Sequence, residues 1–313
     1  MKTVAVILYF WLALAGHTAG FKATGFHLYY GSEARALTKL NVKLAKGHVA
    51  VVDPRALTHA QRQTLLDRAN AVGAKVLGYV SIGELHDREA SDFAAFFKAS
   101  NLTATERKLF PTPTAVEIGR NARFRSRHMD TLSVAWQRFV QGKAARARQL
   151  GYHGAFLDTV DTVDHYLARK EWSIPRRIQS VKATMQFIRA IKAAAPRQYV
   201  MVNRGLNLIA PKVFVGNATG VEIDGLNLRQ KHASNPDAVL WENAFSGSDA
   251  WTRAKDAELR TIHAAGHTTV FALGYAESGG QPAGFFRQAH IVGWPAAWAR
   301  SSTTLHRELA TGK

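Results

Sequence analysis

Short apolar runs typical of β-strands alternate with longer runs of helical periodicity along almost the whole chain. The apolar runs predict eight strands, at residues 25–30, 48–52, 75–80, 155–158, 199–203, 238–241, 268–272 and 289–292. The helical pattern predicts helices at residues 58–72, 132–150, 175–195 and 249–265. This alternation favours βα units wound around a parallel sheet.

The ends of the predicted helices carry capping residues. Thr58 and Gln61 have the spacing of a capping box, and glycine stands where two of the helices should end. Eight strands with short returns can close a barrel, whereas an open doubly wound sheet would need a phosphate-binding glycine loop that the sequence lacks. The predicted fold is therefore α/β, a single-domain (β/α)8 TIM barrel. Residues 100–130 and 211–237 stay unassigned, and as βα-side insertions they should lie at the active-site mouth.

The N-terminal residues have the layout of a secretory signal peptide. Lys2 precedes an apolar run at residues 4–14, and small residues such as Ala15 and Gly20 follow it. The run is shorter than the ~20 apolar residues that cross a bilayer, so no stable membrane insertion is expected. We expect residues 1–20 to be a signal peptide, residues 21–313 to form the barrel domain, and the protein to be secreted or periplasmic.

The composition narrows the possible chemistry. The 313 residues include no cysteine, which excludes disulfides and thiolate metal sites. The formal net charge of +18 favours anionic partners, yet the basic residues are scattered, apart from a stretch with Arg120, Arg123, Arg125 and Arg127. Nucleic-acid binding needs basic residues clustered with aromatic ones, so we expect no nucleic-acid partner. We expect no cofactor and a monomeric protein.

Acidic residues are scarce but concentrate at strand ends. Six fall at or just after the carboxyl end of a predicted strand: Asp53, Glu84, Asp158, Asp161, Glu242 and Glu277. In a barrel these ends meet in one pocket, where carboxylates repel one another unless some are protonated or paired. Glycoside hydrolysis needs such a set, because a protonated carboxyl gives a proton to the leaving oxygen while an ionised one attacks or stabilises the oxocarbenium-like carbon.

The most distinctive segment is GYHGAFLDTVD at residues 151–161, an apolar strand that ends in Asp158 with Asp161 a turn later. It resembles a strand of the glycoside hydrolase family 114 barrels, which are endo-α-1,4-polygalactosaminidases, and of the related hydrolase domain of Pel polysaccharide-processing proteins. Other segments match in the same order: HLYYG (27–31), VAVVDP (49–54), VLGYVSIGE (76–84), NRG (203–205) and AVLWENAF (238–245). The resemblance covers roughly the whole of the chain after residue 20.

The resemblance implies a function and a set of site residues. It implies endo-hydrolysis of an α-1,4-linked galactosamine or N-acetylgalactosamine exopolysaccharide, with Asp158 as nucleophile and Glu242 as general acid/base. The implied substrate-binding residues are Tyr30, Asp53, Tyr79, Glu84, Asp161, Asn203, Arg204, Trp241 and Tyr275. No metal ion is expected, because the acidic residues after Asp158 lack the glycine and the closing glutamate of an EF-hand.

Departures from the family pattern leave alternatives open. His153 stands where an acidic residue is usual, Asn243 follows Glu242 where serine is common, and an insertion precedes the predicted sixth strand. The VEID segment at residues 221–224 could itself be that strand, which makes Glu222 a rival to Glu242. The changed positions also leave open an alternative function, a non-catalytic carbohydrate-binding envelope protein on a barrel scaffold.

Two of the strand-end acids have structural alternatives. Asp53 precedes Pro54 and could cap the following turn. Glu84 could pair with Arg88, four residues further along the chain. In contrast, an ionised Asp158 at the end of a buried apolar strand requires partners or a function.

Overall fold

The computed structural model describes residues 21–216 and 221–312, so the predicted signal peptide lies outside the described residues. The strands are β1 (Gly25–Tyr29), β2 (His48–Val52), β3 (Lys75–Ser81), β4 (Glu84–His86), β5 (Glu117–Asn121), β6 (Ser126–Met129), β7 (Gly154–Asp158), β8 (Tyr199–Asn203), β9 (Lys212–Val215), β10 (Val221–Asp224), β11 (Ala238–Glu242), β12 (Thr269–Tyr275), β13 (Ala296–Ala299) and β14 (Ala310–Thr311). The helices are α1 (Ala34–Lys43), α2 (His59–Val72), α3 (Ala90–Ala99), α4 (Ala104–Leu109), α5 (Val134–Gln149), α6 (Thr162–Ala168), α7 (Ile174–Ala193), α8 (Ala250–Ala264) and α9 (Pro282–Val292). Within these described ranges, every helix is too short or too polar to cross a bilayer.

Eight parallel strands and one antiparallel strand close into a barrel. Around the barrel the order is β1, β2, β3, β7, β8, β11, β12, β13 and β14, with β14 returning to β1. Neighbouring strands from β1 to β13 run parallel, and helices or an insertion connect them on the outside. The predicted (β/α)8 barrel is confirmed.

The C-terminal strand β14 completes the barrel between β1 and β13. Ala310 lies opposite Leu28, and Thr311 lies opposite both His27 and Trp298, antiparallel to each. The Nδ1 atom of His27 and the Oγ1 atom of Thr311 are 3.0 Å apart. Two residues therefore pair the facing edges of the first and last parallel strands, which would otherwise expose unpaired backbone groups.

The prediction of the eighth strand was wrong. Residues 289–292 form the last turn of α9, and the strand that completes the parallel set is β13, a few residues further on. A short apolar run fits a strand or a helix equally well, and here Phe285 and Ala289, four residues apart, are the buried helical positions. Gly293, with a φ of 72°, ends the helix and allows the chain to turn into β13.

The unassigned residues 100–130 belong to an insertion between β3 and α5. Strands β4, β6 and β5 form an antiparallel sheet in it. Arg123 of this insertion places its Nη2 atom 3.2 Å from Oε2 of Glu277, just past the end of β12. The insertion therefore lies on the carboxyl-end face of the barrel, as expected for a βα-side segment.

Three of the four arginines in the densest basic stretch, Arg120, Arg123 and Arg127, form ion pairs. Arg120 and Arg127 contact the carboxylate of Asp87 at 2.9 and 3.3 Å, and Arg127 also contacts Glu117 at 2.5 Å. The densest basic stretch of the sequence therefore forms part of the folded insertion, on and between β5 and β6.

Residues 211–237, which the sequence left unassigned, contain a hairpin in the connection between the fifth and sixth parallel strands. Strands β9 and β10 form a two-stranded hairpin separate from the barrel sheet. Val213 and Val215 are buried in the same apolar cluster as Ile188 of α7. The hairpin thus occupies the outer layer, where a helix would otherwise cover the fifth and sixth parallel strands.

The barrel interior is filled by inward-facing residues, one from each of several strands. Leu28, Leu77, Phe156, Met201, Leu240 and Leu273 belong to one buried cluster. Because side chains alternate along a strand, the residue two positions closer to the mouth faces the same way. Those positions hold Tyr30, Tyr79, Asp158, Asn203, Glu242 and Tyr275, which we call the polar layer. The strand register therefore brings these six side chains together.

Replacing Ala310 by aspartate should destabilise the barrel at its closure. Ala310 is fully buried beside Leu28, so the variant places a carboxylate in the apolar interior. We expect a loss of at least about 3 kcal/mol in the free energy of unfolding, measured by urea denaturation, because an uncompensated buried charge costs that much. Ala254→Asp, at an exposed position of α8, is the control and should change this free energy by less than about 0.5 kcal/mol. Equal stability of Ala310→Asp and the parent would show that β14 does not hold the barrel closed.

Candidate active site

Asp158 is the central carboxylate of the polar layer. Its Oδ1 atom accepts a hydrogen bond from Nδ2 of Asn203 at 2.7 Å, and the Tyr79 hydroxyl donates a second. Burial, and next the negative charge of Glu242, raise the pKa of Asp158 to about 6, while the two hydrogen bonds oppose the shift. The charges of Asp158 and Glu242 therefore act on each other at one mouth of the barrel.

Glu242 is held by one neutral and one charged donor. The Tyr275 hydroxyl donates to Oε1 of Glu242 at 2.8 Å, and Nε of Arg204 lies 3.2 Å from Oε2. Nη1 of Arg204 also binds Oδ2 of Asp161 at 3.1 Å, so one guanidinium joins two carboxylates. The Glu242 side chain is 17% exposed, which leaves it accessible from the mouth.

The backbone is strained directly after three neighbouring strands, β7, β8 and β11. Thr159, Arg204 and Asn243 have φ values of 60°, 57° and 55°, in the left-handed region that residues other than glycine seldom adopt. Each of them immediately follows a member of the polar layer. Strain of this kind costs of order 1–3 kcal/mol per residue and clusters at functional sites. Its repetition here makes this mouth the candidate functional face.

Two glycines allow neighbouring loops to approach the turn after Asp158. A Cβ atom on Gly83 would lie 2.2 Å from the carbonyl oxygen of Thr159, and one on Gly205 would lie 2.2 Å from Cγ1 of Val160. Gly205 also has a φ of 62°. These contacts explain why the SIGE and NRG segments of the sequence carry glycine at these positions.

Three tyrosines form an aromatic wall beside the carboxylates. The rings of Tyr30 and Tyr79 meet edge to face, with centroids 4.9 Å apart. Burial, and then the charge of Asp158, raises the pKa of Tyr30 and of Tyr79 well above the usual value. Burial and the charge of Glu242 do the same to the pKa of Tyr275. All three phenols therefore stay protonated at neutral pH.

A cavity of about 200 Å³ opens beside Glu242. Its lining includes Asp161, Asp164, Arg204, Trp241, Asn243 and Trp251. A concave site with several converging polar groups is the usual form of a ligand-binding pocket. In residues 21–216 and 221–312, no group of three or more His, Cys, Asp or Glu side chains is arranged to hold a metal ion.

Asp53 and Glu84, two of the predicted substrate-binding residues, have their carboxylates engaged by protein groups. Asp53 accepts hydrogen bonds from the backbone N–H of Arg55 at 2.9 Å and from its guanidinium at 3.0 Å, so it caps the turn after β2. Glu84 is 8% exposed and accepts a hydrogen bond from Oγ of Ser126, in place of the predicted pairing with Arg88. Neither residue joins the polar layer.

The rival carboxylate Glu222 is exposed on β10, in the hairpin outside the barrel. Glu242 stands at the end of β11, which pairs with β8 and β12 inside the barrel. The sixth parallel strand is therefore β11, and Glu242 is the glutamate that shares the mouth with Asp158.

The two sequence departures flanking the motifs have structural roles. Nδ1 of His153 accepts from the backbone N–H of Val76 at 3.0 Å, and its Nε2 lies 2.8 Å from Oδ1 of Asn70. Asn243 accepts a hydrogen bond from the Ser278 hydroxyl at 2.6 Å. His153 precedes β7 at the amino end of the barrel, so this departure from the family pattern lies away from the mouth.

Trp241 belongs mainly to the aromatic core. It is 4% exposed, and its ring centroid lies 6.1 Å from those of both Phe245 and Trp294, although it also lines the cavity. The sequence analysis did not identify Trp251 or Asp164, which line the same cavity. The sequence signal that could have identified Trp251 is an indole at the start of a predicted helix that follows the end of a predicted strand.

Two solved structures share this architecture. The glycoside hydrolase domain of PelA from Pseudomonas aeruginosa is 19% identical, with coverage of 90% of this chain and 96% of that chain and a TM-score of 0.60. The complex of Aspergillus fumigatus Ega3 with galactosamine shows 12% identity, with coverage of 93% of this chain and 95% of that chain and a TM-score of 0.54. No family model and no curated protein matches this chain. At this identity the likenesses establish the fold, and they confirm the barrel that the sequence resemblance implied.

The effect of replacing Asp158 by asparagine on stability should depend on pH. A carboxyl whose pKa is raised on folding stabilises the native state while protonated, and this contribution is lost as the pH rises through about 6. The free energy of unfolding of Asp158→Asn minus that of the parent should therefore rise between pH 4 and pH 8, as measured by urea titrations at each pH. Asp53→Asn, which loses an ion pair with Arg55, is the matched control and should be destabilised at pH 8. A relative loss for Asp158→Asn between pH 4 and pH 8 would contradict the raised pKa.

Proposed function

We propose that the protein is a glycoside hydrolase in which Asp158 and Glu242 are the catalytic carboxylate pair. The observation that carries this proposal is the placement of the two carboxylates at the carboxyl ends of β7 and β11 in one barrel, with Asn203 orienting Asp158 and Tyr275 orienting Glu242. Two carboxyl groups in different surroundings can take the separate roles that glycoside hydrolysis requires. The shared fold with the hydrolase domain of PelA supports the same reaction class.

In the proposed mechanism Asp158 attacks the anomeric carbon while Glu242 protonates the glycosidic oxygen, which leaves with the aglycone sugar. The hydrogen bonds from Asn203 and Tyr79 fix the attacking carboxylate. Glu242, now ionised, then takes a proton from a water molecule that attacks the same carbon and releases Asp158. The guanidinium of Arg204 stabilises Glu242 in that ionised form.

The charges around the two carboxylates also fit the reversed roles. Arg204 lies within ion-pair distance of Glu242, and the raised pKa of Asp158 favours its protonated form. In that case Asp158 would be the acid and Glu242 the nucleophile. The two assignments differ in their pH dependence, and we favour Asp158 as nucleophile because it has two neutral donors that orient it without a counter-charge.

We propose an α-1,4-linked polymer of galactosamine or N-acetylgalactosamine as the substrate, cleaved within the chain by a secreted or periplasmic protein. The sequence segments supply this substrate class, and the galactosamine in the Ega3 complex is in accord with it. The carboxylates of Asp161 and Asp164 at the mouth can attract a cationic sugar despite the net charge of +18. Salt screens charges beyond a Debye length of ~8 Å at physiological ionic strength, so the electrostatic potential near the mouth, and not the net charge of the protein, governs the approach of the sugar.

Asp158→Asn and Glu242→Gln should each lower turnover of an α-1,4-galactosamine polymer by at least ~10³-fold, because the pair acts as one unit. Turnover is measured as the release of reducing ends. Glu222→Gln is the matched control, since Glu222 lies on the hairpin outside the barrel, and it should keep parental activity. If either carboxylate variant retained more than about a tenth of the activity, the assigned pair would be wrong. Binding of the polymer by a parent protein without turnover would instead support the carbohydrate-binding alternative.

The pH profile of kcat/KM should separate the two role assignments. A nucleophile must be ionised, and the pKa of Asp158 is raised to about 6. We therefore expect kcat/KM to fall tenfold per pH unit below about 6, since this parameter reports the free enzyme. If kcat/KM instead falls as the pH rises above about 6, Asp158 is the acid and the roles are reversed.

A further inference from the structure

Trp251 is an exposed indole at the edge of the active-site mouth. It lies in the first turn of α8, where Asp249 caps the helix by accepting a hydrogen bond from the backbone N–H of Thr252 at 3.0 Å. Nζ of Lys255 lies 5.7 Å from the ring centroid and donates to the carbonyl of Leu206 at 2.9 Å. The side chain nevertheless stays 49% exposed. The helix start and the lysine thus hold a large apolar ring in a solvent-facing position.

The exposed ring faces a cavity that it shares with the candidate catalytic machinery. The lining of this cavity includes Trp251, Glu242, Asp161 and Asp164, whereas Asp158 is not among its described lining residues. The cavity therefore lies on the Glu242 side of the carboxylate pair. A general acid protonates the bond to the departing sugar, so the side of the mouth beside Glu242 is where that sugar would lie.

The polar groups of the cavity indicate which sugars it would accept. Asp164 is exposed to solvent, and its Oδ1 accepts a hydrogen bond from Nδ2 of Asn207 at 2.8 Å, which orients the carboxylate. Asp161 contributes a second carboxylate, partly neutralised by Arg204. An aromatic face for the apolar side of a pyranose and an oriented carboxylate suit a sugar that carries an ammonium group.

We propose that this cavity is a leaving-group sugar subsite, in which Trp251 stacks on the pyranose ring and Asp164 binds its protonated amino group. The proposal rests on the proposed function, since it takes Glu242 to be the general acid. A volume of about 200 Å³ gives the cavity room for one sugar unit. The subsite would favour deacetylated positions of the polymer, because N-acetylation removes the positive charge.

The test compares two substrates that differ only in whether a leaving sugar is present. Trp251→Ala should lower kcat/KM for an α-1,4-galactosamine tetramer about three- to tenfold, mainly through KM, because the ring contact is lost. The same variant should hydrolyse α-galactosaminyl fluoride at the parental rate, since fluoride leaves without a sugar in the cavity. Trp251→Phe, which keeps an aromatic face, should recover most of the loss with the tetramer.

Phe214→Ala is the matched control, since Phe214 is 64% exposed on β9 in the hairpin outside the barrel. It should leave both substrates unaffected. A parental kcat/KM of Trp251→Ala on the tetramer, or an equal loss with the fluoride, would overturn the subsite. A parent protein that hydrolyses neither substrate would refute the proposed function instead.

The role of Asp164 is tested by binding without turnover, in the Glu242→Gln background. Asp164→Asn should weaken calorimetrically measured binding of the galactosamine tetramer about three- to tenfold, as expected for loss of one charge-assisted hydrogen bond. Binding of the fully N-acetylated tetramer should change less than about twofold, since it carries no ammonium group. Equal losses for both ligands, or none for either, would refute recognition of the amino group by Asp164.

Discussion

The site depends on holding two carboxylates, Asp158 and Glu242, close together in a partly buried mouth. Burial and mutual repulsion both disfavour the ionised pair, and the raised pKa of Asp158 records that cost. The surrounding groups offset it in different ways for each partner. Asn203 donates a neutral hydrogen bond to Asp158, whereas Glu242 receives the charge of Arg204. Because the two carboxylates have different hydrogen-bond partners, one can serve as nucleophile and the other as general acid/base.

The barrel supplies the rigidity that such an arrangement requires. Strand register alone selects the polar layer, because each of its members stands two residues beyond an apolar inward-facing residue. The strained turns after β7, β8 and β11 then aim the following residues, among them Arg204, across the mouth. These turns are tolerated because the barrel is closed all round, and β14 provides the last pair of that closure. The stability of the scaffold and the geometry of the site are therefore linked.

Much of this could be predicted from the sequence, since buried parallel strands are continuous apolar runs and Asp158 and Glu242 stand where two such runs end. The last parallel strand could not, because β13 is short and rich in alanine while the nearby helix α9 ends in an apolar run. Neither could the engagement of Glu84, whose partner Ser126 lies on a strand of the inserted sheet. The exposure of Trp251 depends on how α8 packs against the barrel, and no local pattern encodes it.

The most direct test of the central claim is the release of reducing ends by the purified protein across a panel of polysaccharides that includes α-1,4-linked galactosamine polymers of graded N-acetylation. We expect release from the galactosamine polymers, in the form of internal fragments, and release at least ~10³-fold slower by the folded Glu242→Gln protein. Release by Glu242→Gln at more than about a tenth of the parental rate, or no release by the folded parent from any polymer between pH 5 and pH 8, would contradict the assigned function.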